Sequence, residues 1–477
     1  VTDDFFTTEY FADRLDSVQL PVQWLSFTAS RSQTHLLEYP FLFSADTLVT
    51  YFRAVNFSRM SQSFEASNSM HARINSTAAP FIRDLNRHHE LLERLKTSHT
   101  RYLALKIRRD HVLKDAFDCL WRREERELLR PLKVRLGEDS GEQGTDSGGV
   151  QQEFFRLAIA EAFNPDCGIF TVDEGSKMAW FLPGSPEPLW KYELIGVLVS
   201  LAVYNGVTLP ITFPKALYRK LRDIPNAELH HIEDGWPELA SGLTTLLDWD
   251  EKDGLVSDIF SRTYEFSIDL FGRQVSQDMV KVKWMQLWPQ FYDPPVSVLN
   301  PTEVPLVDAQ NRKEYVADYI HWLTDVSVKP QFEAFQKGFM SCLEPRSIQL
   351  LSPDLLQSVV EGVQEIDIQE LRMHTQYQQF SADDRIIRDF WSIVKKFNNE
   401  EKKKLLEFVT ASDRLPVGGP QNLQFRIQKN GDSECDDRLP TSYTCFGTLL
   451  LPEYSNKETL RVRLMMALEN AKGFGFA

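Results

Sequence analysis

Apolar residues in the first hundred positions recur at three- and four-residue intervals, and Pro21, Pro40 and Pro80 interrupt them. That spacing predicts helices over residues 1 to about 105. The period continues over 105–129, where it predicts one long amphipathic helix. Gly137, Gly141, Gly144, Gly148 and Gly149 follow. No Gly-Lys-Ser/Thr comes after them, so they read as a loop capping a helix over 150–163 and not as a phosphate cradle. Residues 190–221 are apolar at helical spacing, and 222–254 are acidic and mixed. Asp269-Leu270-Phe271-Gly272 predicts a turn beside a strand. Residues 311–323 predict a helix with Tyr315, Tyr319 and Ile320 on one face, and 331–342 predict another.

The pattern breaks at Glu361-Gly362-Val363-Gln364, which reads as a linker. A compact α/β unit follows. Phe390, Trp391 and Val394 mark one helix. Asn398 to Glu401 resembles a capping box opening a second helix over 402–409. Leu423, Phe425 and Ile427 alternate like a half-buried strand that Asn430-Gly431 turns. Residues 449–451 form another strand. Ser455-Asn456-Lys457-Glu458 reads as a capping box for a helix carrying Leu460, Leu464, Leu468 and Ala471, which Gly473 stops.

Length and charge narrow the function classes. With 477 residues the chain has room for about three domains. Its 42% hydrophobic content allows a sizeable core, and its net charge of -15 argues against nucleic-acid binding. No apolar run nears the ~20 residues of a membrane span. The first residues lack a secretory signal, and the absence of an initial Met reads as a fragment of something longer. The five cysteines, Cys119, Cys167, Cys342, Cys435 and Cys445, include no C-x-x-C pair, so neither a zinc site nor a disulfide framework is expected. A reducing compartment fits: the cytoplasm, with the nucleus open to it.

Cys445 is the candidate for chemistry. It lies in Leu439-Pro440-Thr441-Ser442-Tyr443-Thr444-Cys445-Phe446, between a Pro-led polar stretch and a strand. A thiol on an ordered turn can be held in place and reached by a partner, as a nucleophile must be. The bland alternative is a small buried hydrophobe. No histidine follows Cys445; the nearest before it is His374. The Cys-then-His order of many thiol hydrolases is therefore missing. Exchange of an activated thioester between two thiols demands little of a permanent base, because sulfur is a strong nucleophile even when only a few per cent ionised.

From here the residues resemble a known family. Thr444-Cys445-Phe446, 449–451, Pro452, Tyr454 and Gly473-Phe474-Gly475 look like the C-terminal lobe of HECT-type ubiquitin ligases. The match runs back through Phe408-Val409-Thr410, Phe390-Trp391, Gly338-Phe339, Asn311-Arg312, Asp269 to Gly272, Ile195-Gly196, Phe163-Asn164-Pro165, Gly148-Gly149-Val150 and Lys106 to Asp110. Each piece is weak, but the ordered set over about 106–477 is specific. The resemblance is greatest to the E6-associated-protein branch, and Tyr39-Pro40-Phe41 extends it weakly toward the N-terminus.

The resemblance implies an α+β, bilobal fold. A helical extension over 1–105 precedes a mainly helical N-lobe over 106–361. A hinge at Gly362, Val363 and Gln364 joins that lobe to a smaller α/β C-lobe over 365–477. It implies an E3 ubiquitin-protein ligase whose Cys445 accepts ubiquitin from a ubiquitin-conjugating enzyme (E2) and passes it to a substrate lysine. The alternative is a module that binds E2 or ubiquitin and transfers weakly or not at all. The implied partners are the E2, ubiquitin and protein substrates, with no metal or cofactor. Carried over by position, Thr444, Phe446 and Phe474 support the C-lobe site, and Leu239, Leu243, Phe260, Tyr315 and Tyr319 form the E2-binding set. One departure is Tyr443, where the family usually has histidine; a phenol is a poor base near neutral pH. Another is Pro210, where relatives tend to carry an acidic residue, which bears on any charge network of Arg108 and Glu161.

Overall fold

A computed structural model of the chain describes residues 14–28, 34–78, 101–121, 123–137, 149–270, 273–279, 304–410, 412–431 and 435–470. Their buried apolar residues gather in three cores.

The first core begins with helix α1 (Gln19–Ser26) and the long α2 (Ala45–Ala78). Trp24, Leu37, Phe43, Tyr51 and Phe52 are buried in it. Strand β1 (Leu103–Ile107) follows and pairs in parallel with β2 (Leu132–Leu136). Between them lie α3 (Val112–Leu120) and the short α4 (Glu125–Leu128). One continuous helix over 105–129 is therefore not what forms. Leu103, Leu105 and Ile107 are buried while Ala104 and Lys106 are exposed, a period of two that makes a strand across the expected boundary at 105. The carboxylate of Glu161 accepts the Leu113 N–H at 2.9 Å, supplying a partner to the open N-terminus of α3. Arg108 pairs instead with Asp115, at 2.7 Å, and holds that carboxyl down at about 2.

Helix α5 (Gly149–Ala162) starts where the glycine run ends, and strands β3 (Phe170–Val172) and β4 (Ala179–Phe181) form a small antiparallel pair. Helix α6 (Leu189–Tyr204) is buried without a break from Leu194 to Tyr204, as an all-apolar helix must be. The apolar stretch 190–221 is not one helix, because a loop with Pro210 and Pro214 separates α6 from α7 (Lys215–Leu221).

The second core is built by α8 (Pro237–Asp248), α9 (Val256–Phe260), the hairpin β5 (Glu265–Leu270) and β6 (Arg273–Asp278), and α10 (Arg312–Thr324). Asp269 and Leu270 of the predicted turn pair with Gln274 and Arg273 at the end of this hairpin, and Phe271 and Gly272 lie outside the described residues. Helices α11 (Lys329–Phe339), α12 (Pro345–Gln349) and α13 (Pro353–Glu361) return to the first core.

The third core covers residues 366–468. It holds α14 (Ile368–His374), β7 (Gln376–Gln378), α15 (Arg385–Val394), α16 (Asn399–Thr410), β8 (Arg426–Lys429), β9 (Thr441–Tyr443), β10 (Thr448–Leu451) and α17 (Lys457–Asn470). The sheet order is β7-β8-β10-β9, with β10 parallel to β8 and antiparallel to β9. The capping box of α16 forms as predicted: Glu401 N–H donates to Asn398 Oδ1 at 2.9 Å and Asn398 N–H to Glu401 Oε2 at 2.8 Å. That of α17 is shifted by one residue. Asn456 accepts the Thr459 N–H at 2.9 Å, because Ser455 is already committed to Asp436 at 2.6 Å. Gly473 lies outside the described residues. Among the described residues no helix is long and apolar enough to cross a membrane.

Candidate functional site

The backbone of Cys445 lies in a 3-10 turn, Thr444–Phe446, that connects β9 to β10. Tyr443 and Thr448 face each other across this hairpin. Leu449 and Leu451 anchor β10 in the third core, so the turn stands at the end of a buried strand. Gly447 closes the turn with φ 54 and ψ 41, and its N–H donates to Thr444 O at 3.2 Å. Its carbonyl accepts the Arg426 N–H at 2.8 Å, and a Cβ there would sit 1.9 Å from Gln424 O. A side chain therefore cannot enter without moving the strand start. Thr448 Oγ1 donates to Phe446 O at 3.1 Å from the other side.

The residues flanking Cys445 are open. Tyr443 is 53% and Phe446 57% exposed, and Thr444 is half-buried. Helix α16 and helix α5 both lie against the turn. Arg156 of α5 and Glu407 of α16 come within 3.6 Å, so the turn faces the first core across a charged contact. Elsewhere, burial pushes the Cys342 thiol up to about 12. Burial first, and then Glu161, raise that of Cys167. Both changes suppress thiolate and dull a nucleophile. Phe474 lies outside the described residues.

The apolar set expected to bind a partner is brought together in the second core. Leu243 and Tyr315 are buried there, at 2% and 1% exposure. Leu243 on α8 and Tyr315 on α10 form the floor of the patch, and side chains so buried offer little contact surface themselves. Leu239, Phe260 and Tyr319 are half-buried above them. Arg312 Nη1 donates to Leu246 O at 3.1 Å and Trp249 O at 2.8 Å, fixing the end of α8 against α10. The exposed apolar residues nearby are Leu255, Ile259 and Leu306. Sequence reasoning missed them. The signal was faint: α9 is five residues long, too short for a periodicity to declare an outward face.

The expected hinge is packed. Gly362 has φ 72, and a Cβ on it would lie 2.7 Å from Leu415 O. Val363 and Leu415 exchange both backbone hydrogen bonds, at 2.8 and 2.9 Å. Gln364 Nε2 and Arg414 Nη2 both donate to Thr212 Oγ1, at 3.2 and 3.0 Å. Glu361, which precedes the glycine, is 2% exposed and accepts from Phe213 N–H and Tyr218 O–H, each at 2.7 Å. Neither Glu361 nor Arg414 stood out in the sequence.

Comparison with known proteins adds the family. The model of the family described as HECT-domain (ubiquitin-transferase) matches residues 156–477. The probable E3 ubiquitin-protein ligase HECTD2 of Mus musculus is 35% identical over 387 residues, which cover 78% of this chain and 46% of that protein. The probable E3 ubiquitin-protein ligase HERC4 of Homo sapiens is 30% identical over 437 residues, covering 91% of this chain and 37% of that protein. The probable E3 ubiquitin-protein ligase HUL4 of Eremothecium gossypii is 32% identical over 392 residues, covering 79% and 43%. The chain thus spans less than half the length of these relatives.

Proposed function

The chain belongs to the HECT-domain (ubiquitin-transferase) family, and from that premise we infer that it is an E3 ubiquitin-protein ligase working through Cys445. The observation that carries this reading is the turn between β9 and β10. It is an ordered cysteine turn with exposed neighbours, at the end of a buried strand, within the family match.

In the first step the Cys445 thiolate attacks the carbonyl carbon of the E2–ubiquitin thioester. A new carbon–sulfur bond forms, the bond to the E2 sulfur breaks, and the E2 cysteine leaves as thiolate. In the second, a substrate lysine amine attacks the Cys445 thioester. An isopeptide bond forms, the carbon–sulfur bond to Cys445 breaks, Cys445 leaves as thiolate, and the proton lost by the amine passes to water. Thioester exchange is near balance; amide formation drives the sequence forward. Tyr443 is exposed beside the turn, and its hydroxyl can donate a hydrogen bond there but does not take the place of the histidine usual at that position as a base. Thr444, Phe446 and Phe474 serve as supports of the turn and tail in this reading.

The division of labour falls on either side of Gly362. Residues 106–361 act as the E2-binding N-lobe and 365–477 as the catalytic C-lobe, with Gly362, Val363 and Gln364 as hinge and 1–105 as an extension. Burial on the two sides of Gly362 is separate but for Val417, which enters the first core, and this supports the bilobal layout. Leu239, Phe260 and Tyr319, with Leu255, Ile259 and Leu306, form the E2 surface over Leu243 and Tyr315. The E6-associated-protein branch rests on motif order alone, since the relatives compared carry other names. The partners are an E2, ubiquitin and protein substrates, in the cytoplasm or nucleus.

Charging with labelled E2–ubiquitin thioester, read on a non-reducing gel, tests the reading. The native chain is expected to acquire a reducible ubiquitin adduct that Cys445→Ala does not form. Binding of E2 or ubiquitin without any adduct, across a panel of E2s, would leave a binding module in place of a transferase.

A further inference from the structure

Among the described apolar residues after Gly362, Val417 alone is buried in the first core. It lies in Pro416-Val417-Gly418-Gly419-Pro420-Gln421-Asn422, a loop of the unit that follows the hinge (the second unit). The third core does not include it, so a second unit standing alone would carry Val417 on its surface. The loop is shaped by its own residues: Asn422 Nδ2 donates to Val417 O at 2.8 Å, and Gly419 N–H to Pro416 O at 3.0 Å. Gly418 and Gly419 have φ 84 and 77, left-handed values that glycine takes without strain.

What the loop meets belongs to the N-terminal extension. A Cβ on Gly418 would lie 2.7 Å from Asp46 Oδ1, so the loop backbone passes against the first turn of α2. Gln421 Nε2 donates to Asp46 Oδ2 at 3.4 Å. Leu48, Val49 and Phe52 of the same helix are buried in the core that Val417 enters. A second fastening lies beside the cysteine turn. Arg156 of α5 stands 3.6 Å from Glu407 of α16, and both helices lie against Thr444–Phe446. The seat of the turn on α5 and the contact of α2 with the loop are therefore features of one arrangement of the two units.

These fastenings are light. Burial of one valine changes the ratio of seated to unseated molecules about ten- to a hundredfold. A solvated pair such as Arg156 and Glu407 changes it about fivefold or less. Each unit, by contrast, buries a core of its own. The contacts bias the arrangement, and their loss leaves both units folded.

We propose that the N-terminal extension is a strap that sets the position of the cysteine turn: the first turn of α2 and the loop over 416–422 close on each other at Val417, and this grip keeps the second unit seated with the turn against α5. A partner that bound the start of α2 would then move the turn without touching it. The inference rests on the two-unit reading above, but not on any catalytic step.

The test reads geometry in the full chain. Spectroscopic labels are introduced as unnatural amino acids at exposed Glu174 in the first unit and exposed Met373 in the second, and their distance distribution is recorded. The native chain is expected to give one dominant distance. Val417→Asp, whose carboxylate cannot enter the core unpaired, should populate a second. Gln421 is exposed, so changes there disturb neither core. With Val417→Ser as background, Gln421→Lys faces Asp46 with opposite charge and Gln421→Glu with like charge. The seated-to-unseated ratio should be about fivefold higher in the first. Asp46→Asn should erase that difference. Hydrogen exchange in α15 should stay native throughout, since Val417 lies outside the third core. A single native distance in Val417→Asp overturns the strap. So does an equal ratio in Gln421→Lys and Gln421→Glu, or a difference that persists with Asp46→Asn. Faster exchange in α15 would mean that Val417 supports its own unit, and overturns it as well. Failure of the charging assay alone would remove the transferase reading and leave these distances to decide the strap.

Discussion

Cys445 could be picked out because its local chemistry is local in sequence. A proline, four hydroxyl-bearing residues and a following apolar strand mark the turn, and all lie within a dozen residues. What the sequence does not carry is how closely the turn is held. Gly447 reads as an ordinary glycine until Gln424, more than twenty positions away, is seen to abut it. From this comes a prediction. In Gly447→Ala the new methyl must displace Gln424 O or tilt the turn, and the left-handed backbone itself costs ~1–2 kcal/mol. Misplacing a nucleophile by about 1 Å can cost on the order of a hundredfold in rate. The variant should stay folded, with a small drop in melting temperature, and form the Cys445 adduct at least tenfold more slowly. A native rate of adduct formation would mean that the close approach does not position the cysteine. Glu361 and Arg414 were invisible for a related reason. Glu361 looks like a surface residue at the end of α13 and Arg414 like one in the loop after α16, and only long-range packing buries them.

At the scale of elements, helices with strong caps were legible and mixed stretches were not. Asn398 and Glu401 mark the start of α16 by side-chain chemistry alone, and the reciprocal hydrogen bonds are present. The stretch over 105–129 carried two competing periods. Leu103, Leu105 and Ile107 alternate, whereas Val112, Leu113, Ala116, Phe117 and Leu120 follow helical spacing. Reading both as one helix ignored Asp110-His111, where the period changes. The cap of α16 gives a quantitative expectation. Asn398→Ala leaves the Glu401 N–H without its side-chain acceptor, and loss of such a cap costs about 0.5–2 kcal/mol. Because α16 packs beside the cysteine turn, part of that cost should appear as local opening. Denaturant unfolding should show the loss of stability, and hydrogen exchange should show faster amides in α16 than in α6. Unchanged exchange in α16 would show that packing alone sets its start.

At the scale of the molecule, the described residues before 79 are not an appendage. Leu37, Tyr51 and Phe52 are as inaccessible as residues at the centre of α6, and α2 lies on α6, α12 and α13. Two arginines fasten the arrangement. Arg346 Nη1 reaches the carbonyls of Trp24, Leu25 and Phe27 at 3.3, 3.1 and 2.8 Å, supplying a donor to the carbonyl end of α1. Arg59 of α2 donates to Cys342 O at 2.6 Å. Contacts also pass to the second unit: Val417 is buried in the first core, and Gln421 Nε2 lies 3.4 Å from Asp46 Oδ2. The extension therefore supports both sides of the hinge. A chain beginning at Arg101 would forfeit the burial of Trp24, Leu37, Phe43, Tyr51 and Phe52, at about 1.5–3 kcal/mol for each. It would also expose the helical faces they cover. Against a total stability of roughly 5–15 kcal/mol for a domain, that loss is decisive for the first core and not for the third. The truncated chain should melt in two steps, with an early loss of the first core and a later loss of residues 366–468, where the full chain has its cores coupled through Val417. Scanning calorimetry of both chains checks this. One transition at the native temperature would show that the extension is dispensable to the core it enters.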